Sequence, residues 1–240
     1  MSIKIGTYIL TCDDDTDILG NAVDSVALFS DKILLVDTGA PYASQNPRPD
    51  AESVRGFYED AATCYPGKMD YVEIPWDEVA GGHAILRNKA TAILGEYDWV
   101  CFVDSDEMPS NEFCYEIRGL LENISPEVVT IVPHWLTLWP DEEHYSLKYS
   151  QLLSHGRIVR PNKIRWVNAW HEHQNFSGKR HEWSRHILHF RQLFTNRCMR
   201  QRGHGGDAWP GINNGIREVS ELDASWMPIR YPIEDEKNAQ

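Results

Sequence analysis

Four short apolar runs, each stopping at a polar or acidic residue and each parted from the next by a segment of helical character, constrain this chain most. Ile3 to Leu10 is rich in β-formers and ends in a polar turn, after which Leu19, Ala22, Val23, Val26 and Ala27 recur at helical spacing. Ile33 to Val36 is continuously apolar and stops at Asp37-Thr38-Gly39, as a buried strand does on reaching a sheet edge. A polar, proline-bearing stretch from Gly39 to Pro49 reads as a long functional loop before a helix around Ala51 to Ala62. Tyr71 to Ile74 supplies a third strand. A Gly81-Gly82 break precedes a helix from about His83 to Leu94, and Trp99 to Val103 is the fourth strand, ending in Asp104. This alternation predicts an α/β chain with a mostly parallel, Rossmann-like sheet, helices on both faces and ligands beyond the strand carboxyl ends.

The second half is less regular. Glu127 to Val132 and Arg157 to Val159 read as further strands, and enrichment in Trp, His and Arg assigns this half to the acceptor side of a site. From about Gly203 the composition is that of turns, with Trp209 and Trp226 as anchors and Glu234 to Gln240 as a disordered tip. At 240 residues the chain can bury an ordinary core in one α/β domain with a small appendage.

The chain carries 36 carboxylates against 23 Lys and Arg, a net charge of −13, which disfavours broad attraction to nucleic acid or anionic membrane. The short apolar run at the N-terminus meets Asp13, Asp14 and Asp15, unlike a signal peptide, and no stretch is long and apolar enough to span a bilayer. Five scattered cysteines without CxxC spacing suggest neither a disulfide framework nor a zinc knuckle, so a reducing setting is expected, with a cytoplasmic location as the default.

The richest segment chemically is Trp99-Val100-Cys101-Phe102-Val103-Asp104-Ser105-Asp106-Glu107, where an apolar strand delivers three carboxylates within four residues. If the strand persists, Asp104 and Asp106 share a side. Two like charges about 4 Å apart repel by about 4 kcal/mol at an effective dielectric near 20, a cost that a divalent cation removes. Oxygen ligands of this kind suit Mg²⁺ or Mn²⁺, with water and a substrate diphosphate completing the shell. A solvated acidic loop or a cap on a helix starting near Asn111 is the plainer alternative. Asp37 closes strand two, while Thr11 and Asp13 follow strand one, so several polar groups fall at one end of the sheet, where acidic residues accept hydrogen bonds from a base or ribose. Helix capping is the plainer role for the Asp13 to Asp17 run. Arg87, on the helix before the acidic strand, is placed to pair with a diphosphate, with a surface salt bridge as its competitor.

Taken in order, Asp37-Thr38-Gly39, Arg87-Asn88, Asp98-Trp99 and Asp104-Ser105-Asp106-Glu107 resemble the family 2 glycosyltransferases of the GT-A fold. The branch resembled has a VDTGS strand end, an ARN helix, a DWxxxxDADE strand and a later RLFRN…HE segment. Arg157-Ile158-Val159-Arg160-Pro161 and Ile164-Arg165-Trp166 leading to His171-Glu172 match the last of these, and Ile187-Leu188-His189-Phe190 echoes a further element. The resemblance runs from about residue 3 to 200 and implies a glycosyltransferase domain over 1–200, with a nucleotide-sugar half at 1–110, an acceptor half at 111–200 and an extension over 201–240. It implies sugar transfer with inversion from a UDP- or GDP-linked donor to a hydroxyl acceptor. Asp37 would then meet the base, Arg87 the diphosphate, and Asp104 with Asp106 the metal, with Thr11, Asp13 and Ser105 lining the donor site. His189 is implied as a late metal ligand, and His171 as a second candidate for the metal or the acceptor. Glu172 is the candidate general base, with Asp141, Glu142 and Glu107 as rivals and pairing to Arg157 or Arg160 as another use for it.

The sequence departs from that branch where Asp13 to Asp15 replace an NE pair and where Ala40-Pro41 follow Asp37-Thr38-Gly39. Other readings stay open. A nucleotidyltransferase would need a Gly-rich phosphate loop that Thr11 to Gly20 does not supply. A noncatalytic carbohydrate-binding protein would have little use for Asp104, Asp106 and Arg87. Transfer to modified bases in DNA is disfavoured by the net charge.

Overall fold

The computed structural model describes residues 2–11, 16–37, 53–74, 83–138, 144–146, 151–152, 156–167, 173–190 and 216–218. The expected loop from Gly39 to Pro49, the candidates Asp13, His171 and Glu172, and the expected disordered tip lie outside them. The first half follows the predicted alternation: β1 (Ile5–Thr11), α1 (Thr16–Ala27), β2 (Lys32–Asp37), α2 (Val54–Cys64), β3 (Met69–Glu73), α3 (His83–Ile93) and β4 (Trp99–Asp104). After these come β5 (Glu107–Pro109), α4 (Asn111–Asn123), β6 (Val128–Thr137), β7 (His144–Ser146), β8 (Gln151–Leu152) and β9 (Ile158–Val159). The described chain closes with β10 (Ile164–Val167), β11 (His173–Phe176), β12 (Lys179–His189) and β13 (Ile216–Glu218).

Nine strands form one sheet in the order β3-β2-β1-β4-β9-β6-β12-β5, with β8 paired to β6. The ladders joining β3, β2, β1 and β4 are parallel, as is β6 with β12; β9 runs antiparallel between β4 and β6. Period-two alternation sorts the side chains of the central strands cleanly. Ile5, Ile9, Ile33, Leu35, Trp99, Cys101 and Val103 share one core with Leu19, Val23 and Val26 of α1, Val54 of α2 and Phe113 and Ile117 of α4. Tyr8, Leu34, Val36, Val100 and Phe102 face the other way, onto Leu86, Ala90 and Leu94 at α3 and Trp166 of β10. Helices therefore cover both faces, as predicted. Ser53 and Ser110 start α2 and α4, their side chains accepting hydrogen bonds from the backbone N–H of Gly56 and Phe113. No helix among the described residues is long and apolar enough to cross a membrane.

Two side-chain amides stand in for strand partners on the α3 side. Asn88 donates to the Trp166 carbonyl and accepts from the Trp166 N–H, both at 2.9 Å, which bolts β10 to α3. Gln174 of β11 does the same for Gly156, accepting from its N–H at 3.0 Å and donating to its carbonyl at 2.8 Å. The β10–β11 hairpin is thereby fastened to both halves of the chain.

Across the β6–β12 ladder, His134 and His186 sit opposite one another with ring centroids 5.7 Å apart. Burial, reinforced by His134 and Arg185, pushes the His186 imidazole down to about 4 from 6.5. The folded state thus binds its proton less readily than the unfolded chain. Stability from this group is complete above pH 6.5 and is lost as the pH falls towards 4. A tenfold change in proton affinity is worth about 1.4 kcal/mol, and solvent screening at the half-buried ring holds the expected loss to about 1–2 kcal/mol. Urea midpoints at pH 7 and 4.5 should show a steeper acid loss in the native protein than in His186→Gln; parallel pH profiles would refute this.

Candidate functional site

The carboxyl ends of β1, β2 and β4 carry Thr11, Asp37 and Asp104, and Thr11 stands in register with Asp37. Asp104 stands in register with Leu10, one row back. By parity Asp37 leans towards α2, and Asp104 towards α3. The predicted polar end of the sheet is therefore present, but its two aspartates alternate across the sheet plane.

The acidic strand does not continue as expected. β4 ends at Asp104, where the Ser105 N–H donates to the Leu10 carbonyl at 3.1 Å and a turn follows. The Asp104 N–H donates to Glu107 Oε2 at 2.9 Å, closing that turn before β5 pairs antiparallel with β12. Asp104 and Asp106 consequently acquire different partners. Ser105 is buried in the turn, and Thr11 is buried at the end of β1.

Asp104 receives two arginines. Arg87 Nη2 lies 3.1 Å from Oδ1, and Arg157 Nη1 lies 3.5 Å from Oδ2. Arg87 is fully buried and the Arg157 side chain is 3% exposed, whereas the Asp104 side chain keeps 33% of its surface open. The Phe102 ring carries both guanidinium groups, at 4.3 and 4.7 Å from its centroid, and is stacked on Tyr8 and edged by Trp166. Arg87 is thus a core residue whose charge meets Asp104, and the alternative of a surface salt bridge is excluded by its burial.

Arg157 also pairs with Glu107, whose side chain is 1% exposed. Burial pushes the Glu107 carboxyl up to about 8, with Asp104 and Asp106 acting in the same sense and Arg157 opposing them. Glu107, a rival base on the sequence, is here a buried anchor for Arg157 and for the turn. Arg160 donates to the Val128 carbonyl and lies over the Trp99 ring at 4.2 Å.

Asp106 faces the end of β12. Its Oδ2 lies 3.5 Å from His189 Nε2, and its carbonyl accepts from the Phe190 N–H at 2.8 Å. His189 is buried, with Trp135 packed against its ring at 4.4 Å and, among the described residues, no hydrogen-bond partner at Nδ1. Among the described residues no three His, Cys, Asp or Glu side chains converge as a metal cage. The donor pair on hand is one carboxylate and one imidazole, with Asp104 turned to its arginines.

Sequence reasoning did not foresee the Arg157–Glu107 pair or the tie of Arg87 to Asp104. It also missed the hydroxyl of Tyr71, which donates to Asp37 Oδ2 at 2.7 Å. The sheet order alone brings these residues together, and local sequence carries no signal of it.

The sequence matches no protein-family profile and no curated protein. Among solved structures, the chain resembles S. aureus TarS 1–349 in complex with UDP-GlcNAc, with a TM-score of 0.51, 14% identity, and coverage of 78% of this chain and 59% of that one. A second structure of TarS 1–349 gives 0.51 and 13% over 86% of this chain and 67% of that one; a structure of TarS gives 0.50 and 15% over 86% and 41%. The chain thus spans less than two thirds of the first of these structures. At such identities the likeness speaks to architecture, and with the strand order and the two-sided helix cover it shows that this chain has the GT-A type of α/β fold.

Proposed function

We propose that the chain is a metal-dependent, inverting glycosyltransferase that moves a sugar from a nucleoside-diphosphate donor to a hydroxyl acceptor. The observation that carries this reading is the half-open Asp104 at the carboxyl end of β4, gripped by two buried arginines, with the Asp106–His189 pair beside it. A carboxylate so anchored is a rigid acceptor for ligand hydroxyls, because its own orientation is already fixed. The TarS structure of the same fold holds UDP-GlcNAc, which supports a sugar nucleotide as the ligand class.

The residues present fit a divalent cation of the Mn²⁺ or Mg²⁺ kind. Such an ion takes one or two protein ligands and completes its shell with diphosphate and water, and Asp106 with His189 supplies that many. Nε2 is the His189 ring nitrogen turned to Asp106, so the two side chains present their donor atoms on the same side. Bound there, a cation supplies neutralisation of the charge that builds on the departing diphosphate. Asp104 orients the donor, and Arg87 and Arg157 hold Asp104 still. Asp37 and Thr11 form the nucleoside end of the site. Glu172, in the segment between β10 and β11, is assigned as the base that accepts the proton of the attacking hydroxyl.

Calorimetry with UDP and GDP in Mn²⁺, and again in EDTA, tests the reading. Micromolar binding that weakens at least about tenfold without metal is expected. Equal binding in both buffers would refute metal dependence, and no binding of either nucleotide would refute the donor class.

A further inference from the structure

The two arginines on Asp104 enter the site from separate segments, Arg87 from α3 and Arg157 from the residue before β9. Each has a neighbour in sequence that is tied to the β10–β11 hairpin. Asn88, beside Arg87, holds both backbone groups of Trp166, and Gln174 holds both backbone groups of Gly156, beside Arg157. Trp166 and Gln174 are themselves opposite one another in the hairpin. With its N–H and C=O both turned out to Asn88, Trp166 makes the non-hydrogen-bonded kind of antiparallel pair, in which side chains lie closest. One rung of the hairpin therefore runs from the neighbour of one arginine to the neighbour of the other.

The Gly156 end is the tighter. Gly156 is buried, and a Cβ built on it would collide with Thr130 Oγ1 and fall 2.8 Å from the Ile131 carbonyl oxygen, so the chain there lies directly against β6. The Thr130 hydroxyl donates in turn to Gln174 Oε1 at 3.2 Å. Buried peptide groups are costly to leave unpaired, so the Gln174 amide fixes where Gly156 lies and, with it, the point from which the Arg157 side chain starts. At the other end the Trp166 ring meets Phe102 edge-on, with centroids 4.9 Å apart, and Phe102 is the ring that carries both guanidinium groups.

Resting on the sugar-nucleotide reading above, we infer that Gln174 and Asn88 are positioning residues: through Gly156 and Trp166 they set the placement of Arg157 and Arg87, and so the orientation of Asp104 towards the donor. A rung that acts through Asp104 must lose its effect on affinity once the Asp104 carboxylate is gone, whereas a general support for the fold keeps it.

The test is a double-mutant cycle on binding, read by calorimetry in Mn²⁺ with UDP or GDP, whichever the native chain binds more tightly, together with amide hydrogen exchange in the ligand-free chain. Gln174→Met should weaken nucleotide binding by about three- to tenfold, yet change it less than about twofold when added to Asp104→Asn. Asn88→Leu should behave alike. In the free chain, Gln174→Met should speed exchange of the Arg157 N–H, which donates to the Ile131 carbonyl, at least about fivefold, while the Leu35 and Val36 amides of β2 keep their native rates. Thr130→Val, which removes only the hydroxyl donating to Gln174, is the milder variant should Gln174→Met not fold, and it should shift both readouts in the same direction. Equal acceleration at Arg157 and in β2 would overturn the inference, as would an equal loss of affinity with and without the Asp104 carboxylate. If the native chain binds nucleotide and neither Gln174→Met nor Thr130→Val weakens it, the inference fails and the sugar-nucleotide reading stands. A native chain that binds neither nucleotide overturns both.

Discussion

Asp106→Ala is expected to remove the gain in nucleoside-diphosphate affinity that Mn²⁺ brings and to slow sugar transfer by about 10²–10³-fold or more, the scale seen when one preorganised electrostatic group is lost. Asp106 sits in the turn between β4 and β5 with its carbonyl held by the Phe190 N–H. Truncating its side chain leaves that backbone contact in place but strips the carboxylate beside His189, so a drop of only a few degrees in the melting temperature is expected. His189→Ala should follow in the same direction with a smaller effect, since a carboxylate remains to hold the ion. Manganese titration at fixed UDP, with circular dichroism to confirm folding, separates loss of the ion from loss of structure. A folded Asp106→Ala chain with native manganese dependence would show that the cation, if one binds, sits elsewhere.

Arg157→Met should be the most damaging substitution to stability. It strips the only cation with a described ion pair to Glu107, a carboxylate with 1% of its side chain exposed, and removes one of the two arginines on Asp104. Measured at about pH 9, above the raised Glu107 value, leaving that carboxylate unpaired costs about 3–5 kcal/mol, which in a chain of this size lowers Tm by roughly 10 °C, and the loss should shrink at neutral pH, where a proton already neutralises Glu107. Adding Glu107→Gln to Arg157→Met should recover more than half of the loss, because the stranded charge goes with its partner. Thermal melts of the two single variants, the double variant and the native chain give the coupling directly. An Arg157→Met chain that melts within about 2 °C of native would show that water or another group already serves Glu107.

Where the sequence was legible, the reason was burial on both faces. Ile33 to Val36 and Trp99 to Val103 are continuous apolar runs because helices cover either side, and such runs read as strands whatever lies around them. β12 was not legible. Its first residues, Lys179, Arg180 and Glu182, face solvent, and before its packed last stretch, Ile187 to His189, only Trp183 is buried, so an eleven-residue strand inside the sheet reads as a polar segment. Arg87 shows the same limit at the site. Its helical position was plain, but its burial against Asp104, 17 residues on, depends on how α3 crosses back over β4. Arg157 meets Glu107 across 50 residues because β9 enters the sheet antiparallel beside β4, a long-range pairing with no local mark. Tyr71 reached Asp37 through the β2–β3 register, which an apolar run announces only to within a residue or two.

β9 is two residues long, yet it is the sole bridge in the main ladder between β4 and β6 among the described residues. Val100 and Cys101 pair with it on one side, Thr130 and Ile131 on the other. It is a keystone: a rocking motion of the first four strands against the rest would have to tear hydrogen bonds on both its flanks. Any motion of this chain that spares those bonds must therefore leave the sheet intact, as one rigid floor.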